Sequence, residues 1–354
     1  MDYQIRELDS RSRTDRKQFI NMAWDIYDGN SNWVPPLKLD LHTLLNPEKH
    51  PFHEHADSQL FVVEFGGKIV GRIAAFVNHK HNAIWQDDAG FFGFFECIND
   101  QVAANRLFEA ARKWLAEHNR VTMRGPFNWS TNEECGLLVD AFDQEPVIMM
   151  TYNPKYYIEL LENAGFQKVK DMYAYHIVDA AEIPERLERG VNILKKRYNF
   201  SMRTLNMKDF WGEVKLIKKV YNEAWAKNWG AVPMTDEEFD HLAKDLKLIV
   251  DPDLCLIAEM DEEIAGFSLT LPDANQAIKH ADGKLFPLGV IKLLWHMRKV
   301  DTVRVLALGV IEKYRTHGID TAMYYQTFQN GFEKGYYSGE MSWILEDNYP
   351  MRNA

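Results

Sequence analysis

The sequence contains few cysteines, no long apolar run and no excess of basic residues. Cys97, Cys135 and Cys255 are the only cysteines among 354 residues, and their wide spacing and odd number match neither a disulfide framework nor a zinc motif. This usage favours a reducing compartment, so we expect a cytoplasmic protein. No stretch approaches the roughly 18 apolar residues of a membrane span, and the N-terminal residues lack the apolar region of a secretory signal. We therefore expect no membrane partner.

The charge balance argues against another class of partner. Lysine and arginine total 41 and aspartate and glutamate total 52, which leaves a formal net charge of −11. Such a surface repels phosphate backbones, so we expect no nucleic-acid partner. The sequence also lacks the Gly-x-Ser-x-Gly elbow of serine hydrolases and the Gly-x-x-x-x-Gly-Lys-Ser/Thr loop of P-loop NTPases. Both classes are therefore without support.

What the chain does have is the composition of a soluble globular protein and an internal repeat of predicted elements. Hydrophobic residues make up 46% and charged residues 26%, and at about 150 residues per domain the length predicts about two domains. Each half shows a strand, two helices, a hairpin, a long strand, a helix and a strand, and the strand 166–177 closes the first half. The polar segment 179–196 separates the halves, so we place the domains at 1–180 and 181–354.

One turn in the second half carries the clearest chemistry. The apolar strand 305–310 leads into a short turn, and a helix begins near Gly318. Backbone N–H groups in such a turn and at a helix N-terminus bind anions. Gly318 removes a Cβ where a phosphate must approach the backbone, and Arg315 and His317 add positive charge. The pattern predicts a pyrophosphate site.

Residues 314–320, YRTHGID, resemble the pyrophosphate-binding motif of the GNAT acyltransferase superfamily, Gln/Arg-x-x-Gly-x-Gly/Ala. The resemblance implies an α/β fold of two tandem GNAT-like domains, with mixed, mainly antiparallel sheets flanked by helices. It also implies acetyl-CoA as cosubstrate, no metal, and transfer of an acetyl or other acyl group to the amine of a small molecule or peptide.

The same resemblance implies the site residues. The expected CoA contacts are Leu308, Gly309, Val310, Arg315, Thr316, His317, Gly318, Ile319, Asp320 and Asn348. Backbone N–H groups at the strand end would stabilise the oxyanion. Glu312, the only carboxylate at the end of the fourth strand of that half, is a weak candidate for the base that deprotonates the amine.

Two features depart from the GNAT pattern. Asp320 stands where the motif has a small residue, and a carboxylate beside a pyrophosphate is unfavourable unless it points away or serves the first turn of the helix. The sequence stops at Ala354, where the next helix of a GNAT domain has barely begun. We therefore expect domain 181–354 to lack its last helix and two strands, and no residue matches the general-acid tyrosine of the family.

The first half carries only a degenerate form of the motif. Gln101 matches its first position, but Ala104 replaces the glycine and Arg106 the last small residue. A Cβ at that point narrows the access of a phosphate. We therefore predict that the domain 1–180 does not bind CoA and instead shapes an acceptor cleft or an interface.

Three other groups of residues have competing interpretations. His50, His53, His55 and Asp57 resemble zinc ligands, but no helical spacing fixes their geometry, so we expect packed or solvated loop histidines. The loop 128–134, NWSTNEE, either caps a helix start, which we favour, or lines an acceptor cleft. Trp225 and Trp229 belong either to a core stripe or to an acceptor pocket. Cys135 has no histidine nearby in sequence and is not expected to be a nucleophile.

Two further functions remain open at this stage. One is an aminoacyl-tRNA-dependent peptide-bond former, because some of these enzymes are also tandem GNAT-like, although the net charge counts against a tRNA-binding surface. The other is a non-catalytic CoA-binding or interaction protein, which Asp320 and the degenerate first half favour. The acceptor and the oligomeric state do not follow from the sequence.

Overall fold

The computed structural model describes residues 2–180 and 182–352 and divides into two compact units. The first unit runs to Val169 and also includes Gly230–Val232 and Ile278–Leu294. The second unit begins at Lys170 and contains the remainder. The division therefore falls before the predicted domain boundary between residues 180 and 181.

The first unit is built on a five-stranded sheet in the order β1-β2-β3-β4-β5. Its strands are β1 (Gln4–Leu8), β2 (Ala56–Phe65), β3 (Lys68–Asn78), β4 (Ala89–Cys97) and β5 (Thr122–Arg124). Its helices are α1 (Arg13–Ile26), α2 (Lys38–Leu44), α3 (His79–Trp85), α4 (Gln101–Glu117) and α5 (Tyr157–Asn163). Leu107 and Phe108 on the apolar face of α4 are fully buried against β2, β3 and β4. A second cluster holds Phe19 and Ile20 of α1 against the sheet.

The second unit is built on a six-stranded sheet in the order β6-β11-β10-β9-β8-β7. Its strands are β6 (Met172–Ile177), β7 (Phe200–Thr204), β8 (Cys255–Met260), β9 (Glu263–Pro272), β10 (Thr302–Val310) and β11 (Ser338–Leu345). The helices after α5 are α6 (Glu185–Arg197), α7 (Phe210–Trp225), α8 (Asp236–Leu246), α9 (Asn275–Ile278), α10 (Gly289–Met297), α11 (Ile319–Lys334) and α12 (Tyr349–Arg352). Of these, α10 belongs to the first unit as far as Leu294. One buried cluster joins α6 and α11 to the sheet, and another joins α7 and α8 to it.

Strands β7 to β11 repeat the order of β1 to β5. In each set the first four strands are antiparallel and the last pair is parallel. In each set the register between the third and fourth strands also shifts at a β-bulge. The predicted fold class, two tandem α/β domains with mainly antiparallel sheets flanked by helices, is confirmed.

Two predicted strands differ from the structure. The strand predicted over 166–177 is shorter, Met172–Ile177, and it pairs antiparallel with β11 in the second sheet instead of closing the first. Alternation of apolar and polar residues predicts a strand but does not identify its neighbour, because that neighbour is distant in sequence. The strand predicted over 120–127 is only Thr122–Arg124. By contrast, the capping box of Thr235 and Glu238 at the start of α8 is present as predicted.

Gly93 allows the chain after β5 to approach β4 closely. A Cβ at Gly93 would lie 1.6 Å from the carbonyl oxygen of Phe127. The Phe127 N–H in turn donates to the carbonyl of Phe92 at 2.8 Å. Because the obstructing atom belongs to the backbone, no rotamer change can relieve the contact.

We expect Gly93→Ala to destabilise the first unit by about 3 kcal/mol, the upper end of the cost of overpacking. Thermal unfolding followed by circular dichroism measures the effect. Gly331→Ala in α11 is the matched control, because its Cβ would meet only ordinary contacts at 3.6 Å and beyond and should gain about 0.5 kcal/mol of helix stability. An unchanged melting temperature for Gly93→Ala would contradict the described approach.

Candidate functional site

The candidate site of the second unit begins where β10 separates from β11. Their parallel pairing ends at Val305 and Met341, and β10 bulges between Val305 and Ala307 before it continues along β9. The main chain of 307–310 therefore lies beyond the last pair of β10 with β11, where the pairing of the two parallel strands leaves a gap. The sequence placed Leu308, Gly309 and Val310 at this edge, and they do lie on this part of β10.

The turn after β10 leads into a helix whose N-cap residue is a glycine. A short 3₁₀ turn, Glu312–Tyr314, follows the strand, and Gly318 is the N-cap of α11 without a side-chain hydrogen bond. Gly318 has φ of +86°, and a Cβ built on it meets nothing within 4 Å. A left-handed φ favours glycine, and the first N–H groups of α11 have no partner within the helix. The terminus therefore combines donors that have no partner within the helix with the positive end of the helix dipole and with open space at Gly318.

The side chains of Arg315 and His317 are each held by contacts with neighbouring elements. The Arg315 guanidinium donates from Nε to the Val310 carbonyl and from Nη2 to the Ala224 carbonyl, both at 3.1 Å. It ties β10, the turn and α7 together, so its positive charge sits beside the turn with two donors already engaged. The His317 ring packs 4.7 Å from the ring of Tyr198, and its buried Nδ1 has no hydrogen-bond partner among the described residues. Thr316 is exposed between them.

Ile319, Asp320 and Asn348 occupy different positions around α11. Ile319 is fully buried and anchors the first turn of the helix. Asp320 is half-buried in that turn. Burial of Tyr324, together with the negative charge of Asp320, raises the pKa of Tyr324 to about 12. Asn348 lies after β11, and its Oδ1 accepts from the N–H of Met351 in α12 at 3.5 Å. Asn348 thus acts as a helix cap in this structure.

The carboxylate of Glu312 is engaged by a lysine. Both of its oxygens lie near Lys227 Nζ, at 2.8 and 3.0 Å, and both side chains are exposed. The hydrogen bond and charge of Lys227 lower the pKa of Glu312. Glu312 is therefore ionised at neutral pH but is a weaker base than an ordinary glutamate.

An aromatic pair of α7 packs against β10 beside the gap. Trp225 and Tyr221 stack with ring centroids 4.5 Å apart. A Cβ on Gly309 would lie 2.4 Å from the Trp225 ring, so the glycine allows α7 to pack closely on the strand. Trp225 thus packs against the core, which agrees with its interpretation as part of a core stripe. Its ring also forms an apolar wall next to 307–310.

In the first unit, the equivalent helix terminus is capped by a carboxylate of the protein. Asp100 Oδ1 accepts from the N–H groups of Val102 and Ala103 at 2.8 and 3.0 Å. The bond from Ala103 is the main reason that the pKa of Asp100 is lowered. An anion at the start of α4 would have to displace this carboxylate. The sequence analysis placed Ala104 at the position of Gly318, but Ala104 lies within α4 and the N-cap is Asp100. An aspartate directly before an amphipathic helix is a known N-cap signal.

The strand gap of the first unit is also closed. Beyond the β4–β5 pairing, the Phe127 N–H donates to the Phe92 carbonyl, and the Phe94 N–H donates to Asn128 Oδ1, both at 2.8 Å. Asn128 begins the loop 128–134, which forms turns and starts no helix, so the expected cap is absent there. Its side chain instead continues the sheet hydrogen bonding where the second unit has a gap.

A buried acid and tyrosine network lies next to this closed gap. Glu96 Oε2 accepts from the Tyr157 hydroxyl at 2.7 Å, and its Oε1 lies 3.5 Å from Arg72 Nη2. Burial raises the pKa of Glu96 and raises that of Tyr157 well above its usual value. Burial also raises the pKa of the neighbouring Cys97 thiol to about 12. Because these groups lie in the core, the network is structural, and no sequence motif indicated it.

The loop that carries His50, His53 and His55 packs against aromatic side chains. The His53 ring lies 5.0 Å from Trp129, and burial lowers the pKa of His53 to about 4. His50 Nε2 is 3.7 Å from a Glu133 oxygen.

Across 2–180 and 182–352, no group of three or more His, Cys, Asp or Glu side chains has a metal-binding arrangement. No helix of those residues is long and apolar enough to cross a bilayer.

Two proteins are similar in sequence over nearly the whole chain. The bacterial ceramide synthase of Caulobacter vibrioides is 35% identical over 346 residues, which cover 95% of this chain and 89% of that protein. Protein YghO of Escherichia coli is 33% identical over 350 residues, which cover 97% of this chain and 89% of that protein. No protein-family model matches the chain.

Solved structures establish the fold. A tandem GNAT protein from the clavulanic acid biosynthesis pathway matches with a TM-score of 0.55 and 11% identity, over 99% of this chain and 93% of its own. A GCN5-related N-acetyltransferase of Sphaerobacter thermophilus matches with a TM-score of 0.51 and 12% identity, over 98% of this chain and 88% of its own. The predicted tandem GNAT fold is therefore confirmed.

We expect Asp100→Ala to cost about 1 kcal/mol at neutral pH, because α4 loses its N-cap. The folded state lowers the pKa of Asp100, so its contribution is present above the ordinary aspartate pKa and disappears as pH falls through the lowered value. Urea unfolding from neutral to acid pH should show the two proteins converging in acid. Asp28→Ala, which removes an exposed carboxylate from a turn, should have no such effect. A difference that persists in acid would exclude the capping charge as its cause.

Proposed function

We propose that this chain, which belongs to the same family as the bacterial ceramide synthase of Caulobacter vibrioides and protein YghO, is an N-acyltransferase that moves an acyl group from CoA to an amine. A ceramide is the fatty amide of a long-chain amino alcohol. The name of the Caulobacter relative therefore makes a long-chain amino alcohol the first acceptor to test and a long acyl chain the first donor. Of the two acceptor classes expected from the sequence, small molecules and peptides, this puts an amphiphilic small molecule first.

The observation that carries the proposal is the contrast between the two helix termini. Gly318 leaves the start of α11 without a side-chain cap, whereas Asp100 places a carboxylate on the start of α4. The same contrast holds between the strands, because Phe127 and Asn128 bridge the gap in the first unit only. An anionic and elongated cosubstrate fits the second unit, and the first unit is proposed not to bind it.

The residues of the second unit fit a CoA pyrophosphate. The N–H groups at Gly318, Ile319 and Asp320 would hold the phosphates, and Arg315 would keep the turn in place through its bonds to two carbonyls. When bound, CoA would supply the acyl group as a thioester. Attack by the amine would form the amide C–N bond and break the thioester C–S bond, and CoA would leave as its thiol, with the proton that the amine gives up balancing the thiolate. The main chain of 307–310 would lie along the acyl end and supply donors for the developing oxyanion.

Glu312 is the proposed proton acceptor for the attacking amine, directly or through water. Lys227 holds the carboxylate and lowers its pKa. The base is therefore unprotonated at neutral pH, and its contribution should be smaller than the roughly 100-fold to 10,000-fold of a well-matched general base.

We expect the purified chain to form an amide from a long-chain acyl-CoA and a long-chain amino alcohol, detected by mass spectrometry. Gly318→Asp should weaken acyl-CoA binding at least about tenfold in calorimetric titration, because it recreates the carboxylate cap of the first unit beside the phosphates. Gly318→Asn has similar size without the charge and should weaken binding less.

Gly335→Asp is the matched control for this substitution. Gly335 ends the same helix with φ of +85° and equally open space, against +86° for Gly318. The control should therefore bear the same backbone strain without loss of acyl-CoA binding. Equal losses in Gly318→Asp and Gly335→Asp, or wild-type binding in Gly318→Asp, would overturn the assignment of the site.

We expect Glu312→Gln to lower kcat about tenfold and to remove the acid limb of the pH profile of kcat/KM. In the wild type this limb should lie at a lower pH than for an ordinary glutamate, because Lys227 lowers the pKa of Glu312. Glu145→Gln is the control, because Glu145 also pairs with a lysine through both oxygens, at 2.7 and 3.0 Å from Lys279. A Glu312→Gln profile that matches wild type would remove Glu312 as the base.

A further inference from the structure

The segment between β9 and β10 carries an apolar stripe that faces solvent. Leu288, Ile291, Leu294 and Trp295 recur at helical spacing along α10 and its preceding residue, with 53% to 64% of each residue exposed. Phe286 is 78% exposed just before them. Helices of soluble proteins normally turn such a stripe towards the core. Here Gly289 is the buried residue of α10, so the large apolar side chains form a contiguous exposed patch, which marks an interaction surface.

Basic residues belong to the same segment as this patch. The segment 284–300 contains four basic residues and no aspartate or glutamate, in a chain of net charge −11. The four, Lys284, Lys292, Arg298 and Lys299, are all exposed. Lys299 Nζ lies 3.5 Å from the centroid of the Trp295 ring, so cation and aromatic ring occur at one place. We call residues 284–300 the α10 surface.

We propose that the α10 surface docks on an anionic lipid bilayer. Exposed leucine, isoleucine and tryptophan side chains enter the boundary between headgroups and acyl chains, and neighbouring lysine and arginine side chains bind anionic headgroups. The helix has nine residues, so it lies in the interface and does not span. This proposal departs from the expectation of no membrane partner, which rested on the search for spanning segments.

Charge decides between a bilayer and a second copy of the chain. A symmetric dimer through the α10 surface would bring the same patch of each copy together and would place four basic residues against four more. The rest of the chain is acidic, so an anionic bilayer attracts this surface and repels the remainder. The attraction therefore also sets the orientation of the protein on the membrane.

Sedimentation with lipid vesicles tests the proposal on the full chain. The probes are vesicles of phosphatidylcholine alone and vesicles that also contain phosphatidylglycerol. The chain should sediment with the anionic vesicles, and added salt should weaken that binding. This readout needs neither acyl donor nor acceptor, so its result is independent of the proposed acyl transfer.

Two sets of variants separate the charge from the apolar stripe. Lys292→Gln, Arg298→Gln and Lys299→Gln together should lower the partition constant by about fivefold for each charge removed. The same charge change at the exposed Lys113, Lys195 and Lys215 should have little effect.

For the apolar stripe, Ile291→Ser, Leu294→Ser and Trp295→Ser together should abolish binding. The control is Val121→Ser with Leu248→Ser, at residues that are 93% and 85% exposed, and it should leave binding unchanged.

Three outcomes would overturn the proposal. The first is that the wild-type chain fails to sediment with anionic vesicles. The second is that the lysine control set weakens binding as much as the α10 set. The third is that light scattering shows a dimer which the serine variant of α10 dissociates while vesicle binding is unchanged, which would assign the surface to self-association. Thermal unfolding of each variant verifies that it is folded.

Discussion

The separation of two parallel strands is the constraint on which the rest of the structure depends. A bulge between Val305 and Ala307 follows the last pairing of β10 with β11, and from there the backbone of β10 borders a gap. Such a gap leaves main-chain groups that must find other partners. The first unit supplies those partners from its own chain through Phe127 and Asn128. One topology therefore yields a gap bridged by Phe127 and Asn128 in one unit and an interrupted strand pairing in the other.

The two units also differ in the electrostatics of the helix that follows the fourth strand. A carboxylate at a helix N-terminus satisfies its N–H groups and its dipole locally, as Asp100 does. Glycine at the same place supplies no partner, and an incoming anion can take that role. Asp320 lies within the first turn of α11, two residues after Gly318, where a carboxylate is also compatible with the dipole. The position of a single acid relative to the N-cap thus distinguishes the two termini.

Much of this arrangement was predictable from local sequence, and the exceptions share a physical reason. The order of strands and helices along the chain, the turn at 312–318 and the capping box at Thr235 each depend on neighbouring residues. The partner of β6, the closure by Asn128 and the network of Glu96 depend on contacts between distant parts of the chain, which periodicity does not encode. The loop 128–134 shows this best, because its polar residues favour a helix cap locally while the structure uses Asn128 to extend a sheet.

Strand β6 has a consequence for how the protein can be divided. It precedes all other strands of the second sheet in sequence, yet it pairs with β11 and forms the edge of the sheet on that side. A fragment cut at the sequence-predicted boundary would leave β11 as an open edge, and unpaired edges are templates for aggregation. The two tandem domains are therefore not interchangeable units. Any shortening or shuffling of the gene that removed the end of the first repeat would expose the sheet of the second.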